Sequence, residues 1–259
     1  MRTTAARSLN RLKRRIRLAY REAPVRLDRM RGKRILHFLH IGKTGGTAVL
    51  TALLGVDDRR YRFYYRGHHG TLADVQAGDS CFFFVRDPVT RFVSAFHSRQ
   101  REGRPRYYYP WNAEERTAFE RFKTPNELAV ALSSVDADTR AAAERAMRGI
   151  KHIKTPLAWW SGTEEYLRQR RSAVLFVGAQ EQLTEDFARL KALLGIEATL
   201  AQDEVTSHRN PGHLDRRLDP CAIENLRTWY AADYTRLATL REWFPHLPDY
   251  EASRVGGIG

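Results

Sequence analysis

The feature that most constrains the fold is a stretch in which an apolar run, Ile35 to Ile41, meets a glycine-rich turn, Gly42 to Gly46, and then a helical pattern, Thr47 to Leu54. A strand that feeds a tight turn and a helix is the opening unit of a parallel sheet, because parallel strands need a covered crossover to bring the chain back. The same grammar recurs further on. Tyr61 to Tyr65 predicts a second strand ending at Gly67-His68-His69-Gly70, Cys81 to Val85 a third that is buried on both faces, and Val174 to Val177 a fourth. Pro88 suits the first turn of a helix carrying Val89 to Ser98. Further helices are expected at about 113–122, 124–132, 136–147 and 184–194, with one long last helix from Asp219-Pro220 to about Trp243. The expected class is α/β: three layers, a central mostly parallel sheet flanked by helices, plus a helical insertion. A single domain over residues 34–259 would follow a basic N-terminal segment, residues 1–33.

The chain has 259 residues and a net charge of +14 with His neutral. Residues 1–34 hold thirteen of the 44 Lys and Arg but only two acids, Glu22 and Asp28, which leaves the rest of the chain at +3. A whole-surface nucleic-acid footprint is not what that distribution describes, and no nucleic-acid partner is expected. Leu9, Leu12, Ile16 and Tyr20 fall at helical spacing among the cations until Pro24 ends the pattern. This predicts either an amphipathic helix on an anionic membrane face or a solvated tail. There is no apolar core of a secretory signal and no stretch of roughly 18 apolar residues for a membrane span. The expectation is a cytoplasmic protein, peripheral at the inner face of a membrane through residues 1–33, although a mitochondrial-type transit segment shares the composition. Cys81 and Cys221, both in apolar surroundings, make neither a metal spacing nor a disulfide framework.

Two segments carry anion-binding chemistry. In His40-Ile41-Gly42-Lys43-Thr44-Gly45-Gly46-Thr47 the backbone N–H groups of the loop and of the following helix start converge on one spot; Lys43 adds a full charge, and Thr44 and Thr47 add hydroxyls. The loop of nucleoside triphosphatases places its Lys after the second Gly, whereas Lys43 precedes the double glycine, and the residue five before Gly42 is His37. The second segment is Phe84-Val85-Arg86-Asp87-Pro88-Val89-Thr90-Arg91-Phe92-Val93-Ser94-Ala95-Phe96. Arg86 leaves the carboxyl end of a strand, the edge at which open α/β sheets bind ligands, and Ser94 follows two turns into the helix. A guanidinium with a hydroxyl suits a phosphate dianion, while Asp87 is expected to cap the helix and Arg91 to serve as a structural ion-pair partner.

Together these motifs resemble the two nucleotide signatures of sulfotransferases that use 3′-phosphoadenosine 5′-phosphosulfate (PAPS), most closely the carbohydrate and membrane-associated branch that includes the uronyl 2-O-sulfotransferases. A looser likeness runs through Phe176-Val177-Gly178, Glu185-Asp186 and Asn210 to Asp233-Tyr234. The resemblance implies a P-loop-type fold and PAPS as the sulfuryl donor, with the 3′,5′-bisphosphate as product and no metal. It makes Lys43, Thr44, Gly45, Gly46 and Thr47 the cradle of the 5′-phosphosulfate, and Arg86 and Ser94 the clamp on the 3′-phosphate. The family usually shows Pro where Gly42 stands.

Sulfuryl transfer needs a base for the acceptor hydroxyl. His68 stands just past a predicted strand end, and an imidazole titrates near neutral pH. The uronyl 2-O-sulfotransferases carry His-Gly-His here, and the second of those His, their base, resembles His68 in position; Arg66 replaces the first, and His69 is the competing candidate. On the acceptor side Arg66, His69, Arg99, Arg101, Tyr107 and His152 are the candidates, because aromatic faces stack on sugars and Arg binds carboxylate or sulfate. The expected acceptor is a glycan, a glycolipid or another hydroxyl compound. Two other classes share parts of this pattern: a P-loop kinase or nucleotidase using ATP and magnesium, and a non-catalytic membrane- or nucleic-acid-binding module driven by the basic segment.

Overall fold

A computed structural model describes residues 23–105, 107–200 and 215–250. Four parallel strands form the sheet: β1 (Arg34–Leu39), β2 (Tyr61–Tyr65), β3 (Ser80–Val85) and β4 (Val174–Ala179), in the spatial order β2-β1-β3-β4. The chain leaves β1 toward β2 on one side and leaves β3 toward β4 on the other. The crevice between the carboxyl ends of β1 and β3 is therefore the point at which the winding reverses, where such sheets bind their ligands. The registers Phe38 to Phe82 and Leu39 to Phe83 bring the two strand ends level. The Gly42–Gly46 turn and Arg86 thus become neighbours although they lie about forty residues apart in sequence.

Side-chain alternation on the strands fills both faces. Leu36, Phe38, Phe82, Phe84 and Phe176 point to one side, where α1 (Gly46–Leu54) contributes Val49 and Leu53. Leu39, Cys81, Phe83 and Val85 point to the other, against Phe92 and Phe96 of α2 (Pro88–Gln100). Each buried Phe is worth roughly 1.5–3 kcal/mol relative to exposure, so the three consecutive Phe of β3 anchor the sheet between its layers. The helical insertion follows as α3 (Ala113–Arg121), α4 (Pro125–Ala131), α5 (Ala137–Gly149), α6 (Ala158–Ser161) and α7 (Glu164–Gln169). After β4 come α8 (Leu183–Leu194), α9 (Pro220–Trp229) and α10 (Ala231–Trp243). The expected α/β class, the parallel sheet and the insertion are all present.

Two expectations are corrected. The long last helix is two, broken at Tyr230, which ends α9 through its N–H to the Leu226 carbonyl and starts α10 by accepting from Asp233 and Tyr234. Residues 23–30 are helical with Pro24 in the first described turn, a place that suits proline, while the pattern Leu9 to Tyr20 that Pro24 was expected to end lies outside the described residues. Cys221 is exposed, not apolar in its surroundings, whereas Cys81 is buried, and both are free thiols. The helical residues 23–30 also touch the domain: Val25 is buried, Arg29 pairs with Asp79 at 2.7 Å, and Asp28 faces Arg62 at 3.4 Å. Residues 1–22 of the basic segment, and the predicted loop Ser207 to Gly212 with Asn210, lie outside the described residues. Among the described residues no helix is long and apolar enough to cross a membrane.

Candidate active site

The turn after β1 is shaped by close approach. Gly45 caps α1 in the left-handed region, at φ 77°, and a Cβ on Gly46 would lie 2.6 Å from Nε2 of His40. The double glycine is thus required both by backbone conformation and by the ring beside it. The N–H groups of Gly46 and Thr47, in the first turn of α1, precede the residues that bond back to the Gly45 carbonyl and remain available to an anion. Thr44 is buried and its hydroxyl donates to the Ile41 carbonyl at 3.0 Å, so it shapes the turn from within.

Lys43 itself has a left-handed backbone, at φ 71°. Among the described residues no carboxylate pairs with it. Burial, and then the charges of Arg86 and Arg101, bring its ammonium down to about 7. A cation held this way recovers its charge when an anion arrives. Arg86 closes the other side of the crevice. Its Nε donates to Thr90 Oγ1 at 2.9 Å and one Nη reaches the Lys43 carbonyl at 3.4 Å, tying the two motifs into one unit. Ser94 lies two turns along α2 and is 8% exposed.

The helix behind Arg86 is braced as expected and beyond. Asp87 accepts from the Thr90 N–H at 2.9 Å, capping α2, and also from the Tyr234 hydroxyl at 2.9 Å. Arg91 is buried against Asp233 at 3.6 Å, and Asp233 also accepts from the Leu157 N–H at 2.9 Å. Asp186 accepts from the Ala179 N–H at 2.6 Å, just past the sheet core. The looser parts of the resemblance, Asp186 and Asp233-Tyr234, are thereby the struts that fix the ligand edge.

On the β2 side His68 is exposed along one edge and crowded on the other. Its ring lies 4.1 Å from that of His40 and 5.7 Å from that of His152, centroid to centroid. Its Nδ1–H donates to the His40 carbonyl at 3.1 Å, which leaves Nε2 as the lone-pair nitrogen. Burial lowers the His68 pKa; the bond to His40 opposes the shift, and Lys151, His69 and Lys43 add to it. His68 is therefore held as the neutral imidazole at neutral pH.

The remaining expected residues divide. Arg101 joins the site through its charge on Lys43, and exposed Tyr107 flanks Arg101. His152 stands over the loop beside His68 and Lys43. His69 is exposed. Arg66 is held by Asp74 at 3.1 Å and sits over the Tyr64 ring. Arg99 does not face the crevice at all: it is 2% exposed, in a two-pronged pair with Glu115 at 2.7 Å. Sequence reading gave no role to His40, whose Nδ1 meets the Tyr65 hydroxyl at 3.0 Å, nor to Lys151, Arg216 and Glu181 around the crevice. Of these only His40 had a signal, its place in the glycine motif; the others arrive by tertiary folding.

Residues 29–238 match the sulfotransferase family. The chain belongs to that family. It is a PAPS-dependent sulfotransferase, a transferase acting between a nucleotide donor and a hydroxyl acceptor. No individual curated protein matches the sequence. The residues present fit the donor: a glycine cradle at a helix start, a Lys that meets no carboxylate among the described residues, and a guanidinium on the facing strand end flank the point at which the sheet switches direction, as an anionic nucleotide would require.

Proposed function

We propose that this sulfotransferase moves the sulfuryl group of PAPS to a hydroxyl of an anionic glycan or glycolipid, with His68 as the base. The observation that carries the base assignment is the bond from Nδ1 of His68 to the His40 carbonyl, because it leaves Nε2 to accept the acceptor's proton. PAPS supplies an activated sulfuryl group whose bond to the phosphate oxygen breaks as the acceptor oxygen attacks in line. Lys43, with the N–H groups of Gly46 and Thr47, stabilises the charge that returns to that phosphate oxygen. Arg86 and Ser94 bind the 3′-phosphate and hold the donor in register, Thr44 keeps the turn in shape, and Gly45 with Gly46 lets the phosphate approach the backbone.

The acceptor reading rests on the exposed face beyond Lys43. Tyr107, Tyr108 and Tyr109 are exposed, Arg104 stacks over the Tyr108 ring at 4.7 Å, and Lys151 lies over the Tyr109 ring at 4.1 Å. Aromatic faces interleaved with cations suit sugar rings that bear carboxylate or sulfate. A glycolipid acceptor would also give the basic residues 1–33 a membrane face to lie on.

Thermal stabilisation by the 3′,5′-bisphosphate against ATP with magnesium tests the donor. The bisphosphate at about a hundred times its Kd stabilises by about 2.7 kcal/mol, and a larger effect of ATP would sink the assignment. His68→Ala and His69→Ala, assayed separately, test the base. A loss of 10²–10⁴-fold is expected for His68 alone.

A further inference from the structure

The structure holds His152 in a way that packing alone does not ask for. It lies in the turn after α5 with a left-handed backbone, φ 70°, a conformation that side-chain-bearing residues rarely adopt. Its neighbours over-determine that turn. Ile150 and Ile153 are buried, the Lys151 N–H donates to Glu115 at 3.0 Å, and the Lys154 N–H to the Ile150 carbonyl at 3.0 Å. The Tyr230 hydroxyl closes on the Ile153 carbonyl at 3.3 Å. Strain maintained by this many anchors is characteristic of functional positions.

The ring so presented makes no hydrogen bond or ion pair among the described residues. It rests on the phosphate loop: a Cβ on Gly42 would lie 2.6 Å from its Nδ1, so any side chain at 42, including the proline usual in the family, would collide with it. Its other neighbours are the His68 ring at 5.7 Å and, through their charges, Lys43, Lys151 and Arg91. Burial and those cations hold the imidazole neutral, well below its ordinary pKa. It thus stands beside both Gly42 of the loop and the ring of the proposed base.

Resting on the reading of that cradle as the PAPS site, we propose that His152 is a substrate-contacting residue that donates a hydrogen bond to a peripheral oxygen of the sulfuryl group, so that the site distinguishes PAPS from the bare 3′,5′-bisphosphate. The chemistry suits a neutral donor. As the sulfur–oxygen bond to phosphate breaks, its electron pair goes to the phosphate oxygen, beside Lys43. The acceptor oxygen bonds to sulfur and its proton passes to Nε2 of His68. The peripheral oxygens gain no charge, so a neutral N–H orients them, where a second cation would hold the sulfate back.

The test compares direct binding of the bisphosphate and of PAPS, without acceptor, to the wild type and to three variants. His152→Ala removes the ring, His152→Gly removes it and relieves the left-handed backbone, and His152→Asn keeps a neutral donor. The bisphosphate affinity is expected to stay within about twofold in all three, which also reports that the site is folded. PAPS should weaken about tenfold in the Ala and Gly variants, the loss of one hydrogen bond, and recover in part with Asn. Parallel losses for both ligands, or none for either, would overturn the inference and leave His152 a packing residue. A wild type that binds neither nucleotide would instead overturn the donor assignment on which it rests.

Discussion

Arg99 and Arg101 lie two residues apart where α2 ends, and they meet opposite fates. Arg99 turns inward to Glu115 and to the carbonyls of Tyr109 and Pro110, so that its charge is fully matched and 2% of it is exposed. Arg101 donates to the carbonyls of His97 and Arg104 and adds its charge to the neighbourhood of Lys43. The molecule thus has two ways of burying a cation. In the scaffold each cation meets a carboxylate, as Arg99 meets Glu115 and Arg91 meets Asp233. At the crevice Lys43 meets no carboxylate among the described residues and feels the charges of Arg86 and Arg101, a shortfall in negative charge that suits the phosphates of the proposed donor, whereas Arg86 beside it has Glu181 and Asp87 near its own charge. A matched cation holds the fold together; a crowded one makes a site.

That contrast breaks first at Arg99. Arg99→Ala leaves Glu115 buried without its partner and is expected to cost about 3–5 kcal/mol of stability, measured by denaturant unfolding. Lys43→Ala should do the reverse, lowering sulfuryl transfer about 10²–10³-fold while leaving the unfolding midpoint unchanged. A large loss of stability there would place Lys43 in the scaffold class. Arg101→Ala, which gives up two bonds to carbonyls at a half-buried position, is expected to weaken bisphosphate binding several-fold at a cost of about 1 kcal/mol in stability.

A pH series sharpens the same comparison. With Lys43 at about 7 in the free protein, binding a phosphate above that pH must take up a proton. Bisphosphate affinity should therefore fall as pH rises from 7 toward 9, and Lys43→Ala should flatten the slope. Glu115 runs the other way. Burial raises its pKa, but the bonds from Arg99 and from the N–H groups of Lys151 and Asn112 prevail and hold it below the usual value. Its contribution to stability is present above the ordinary glutamate pKa and is lost as pH falls through the depressed one. A modest effect is expected at the helix start: Asp87→Asn keeps an acceptor for the Thr90 N–H but turns an amide toward the Tyr234 hydroxyl, and should cost about 1 kcal/mol.

How much was legible follows from range. The strands were readable because apolar runs bounded by glycine or charge carry their own period, and Tyr61 to Tyr65 agrees residue for residue. Asp87 and Arg91 were readable because capping and pairing have residue preferences. The break at Tyr230 was not, since no glycine or proline marks it, and the hydroxyl of Tyr230 is tied to distant Ile153. Helices as short as Ala158–Ser161 carry no period at all. Arg99 was read with the acceptor side because its partner, Glu115, lies sixteen residues on, on another helix. The rings of His40 and His152 meet His68 from one strand end and one distant turn, a convergence that no spacing encodes.

The pairing of β3 with β4 has a consequence in time. The two strands exchange bonds along Cys81 to Val85, yet every residue from Arg86 to Ala173, including α2 through α7, lies between them. Closing so long a loop is entropically expensive, and parallel contacts of such sequence separation form slowly. Until they form, Phe82 to Phe84 have no outer neighbour and Glu181, whose carboxylate accepts the Asp87 N–H at 2.9 Å behind Arg86, is not yet in place. The half of the crevice that carries Arg86 is thus assembled late, and a chain still on its way to the native state offers a sticky aromatic strand before it offers a finished crevice.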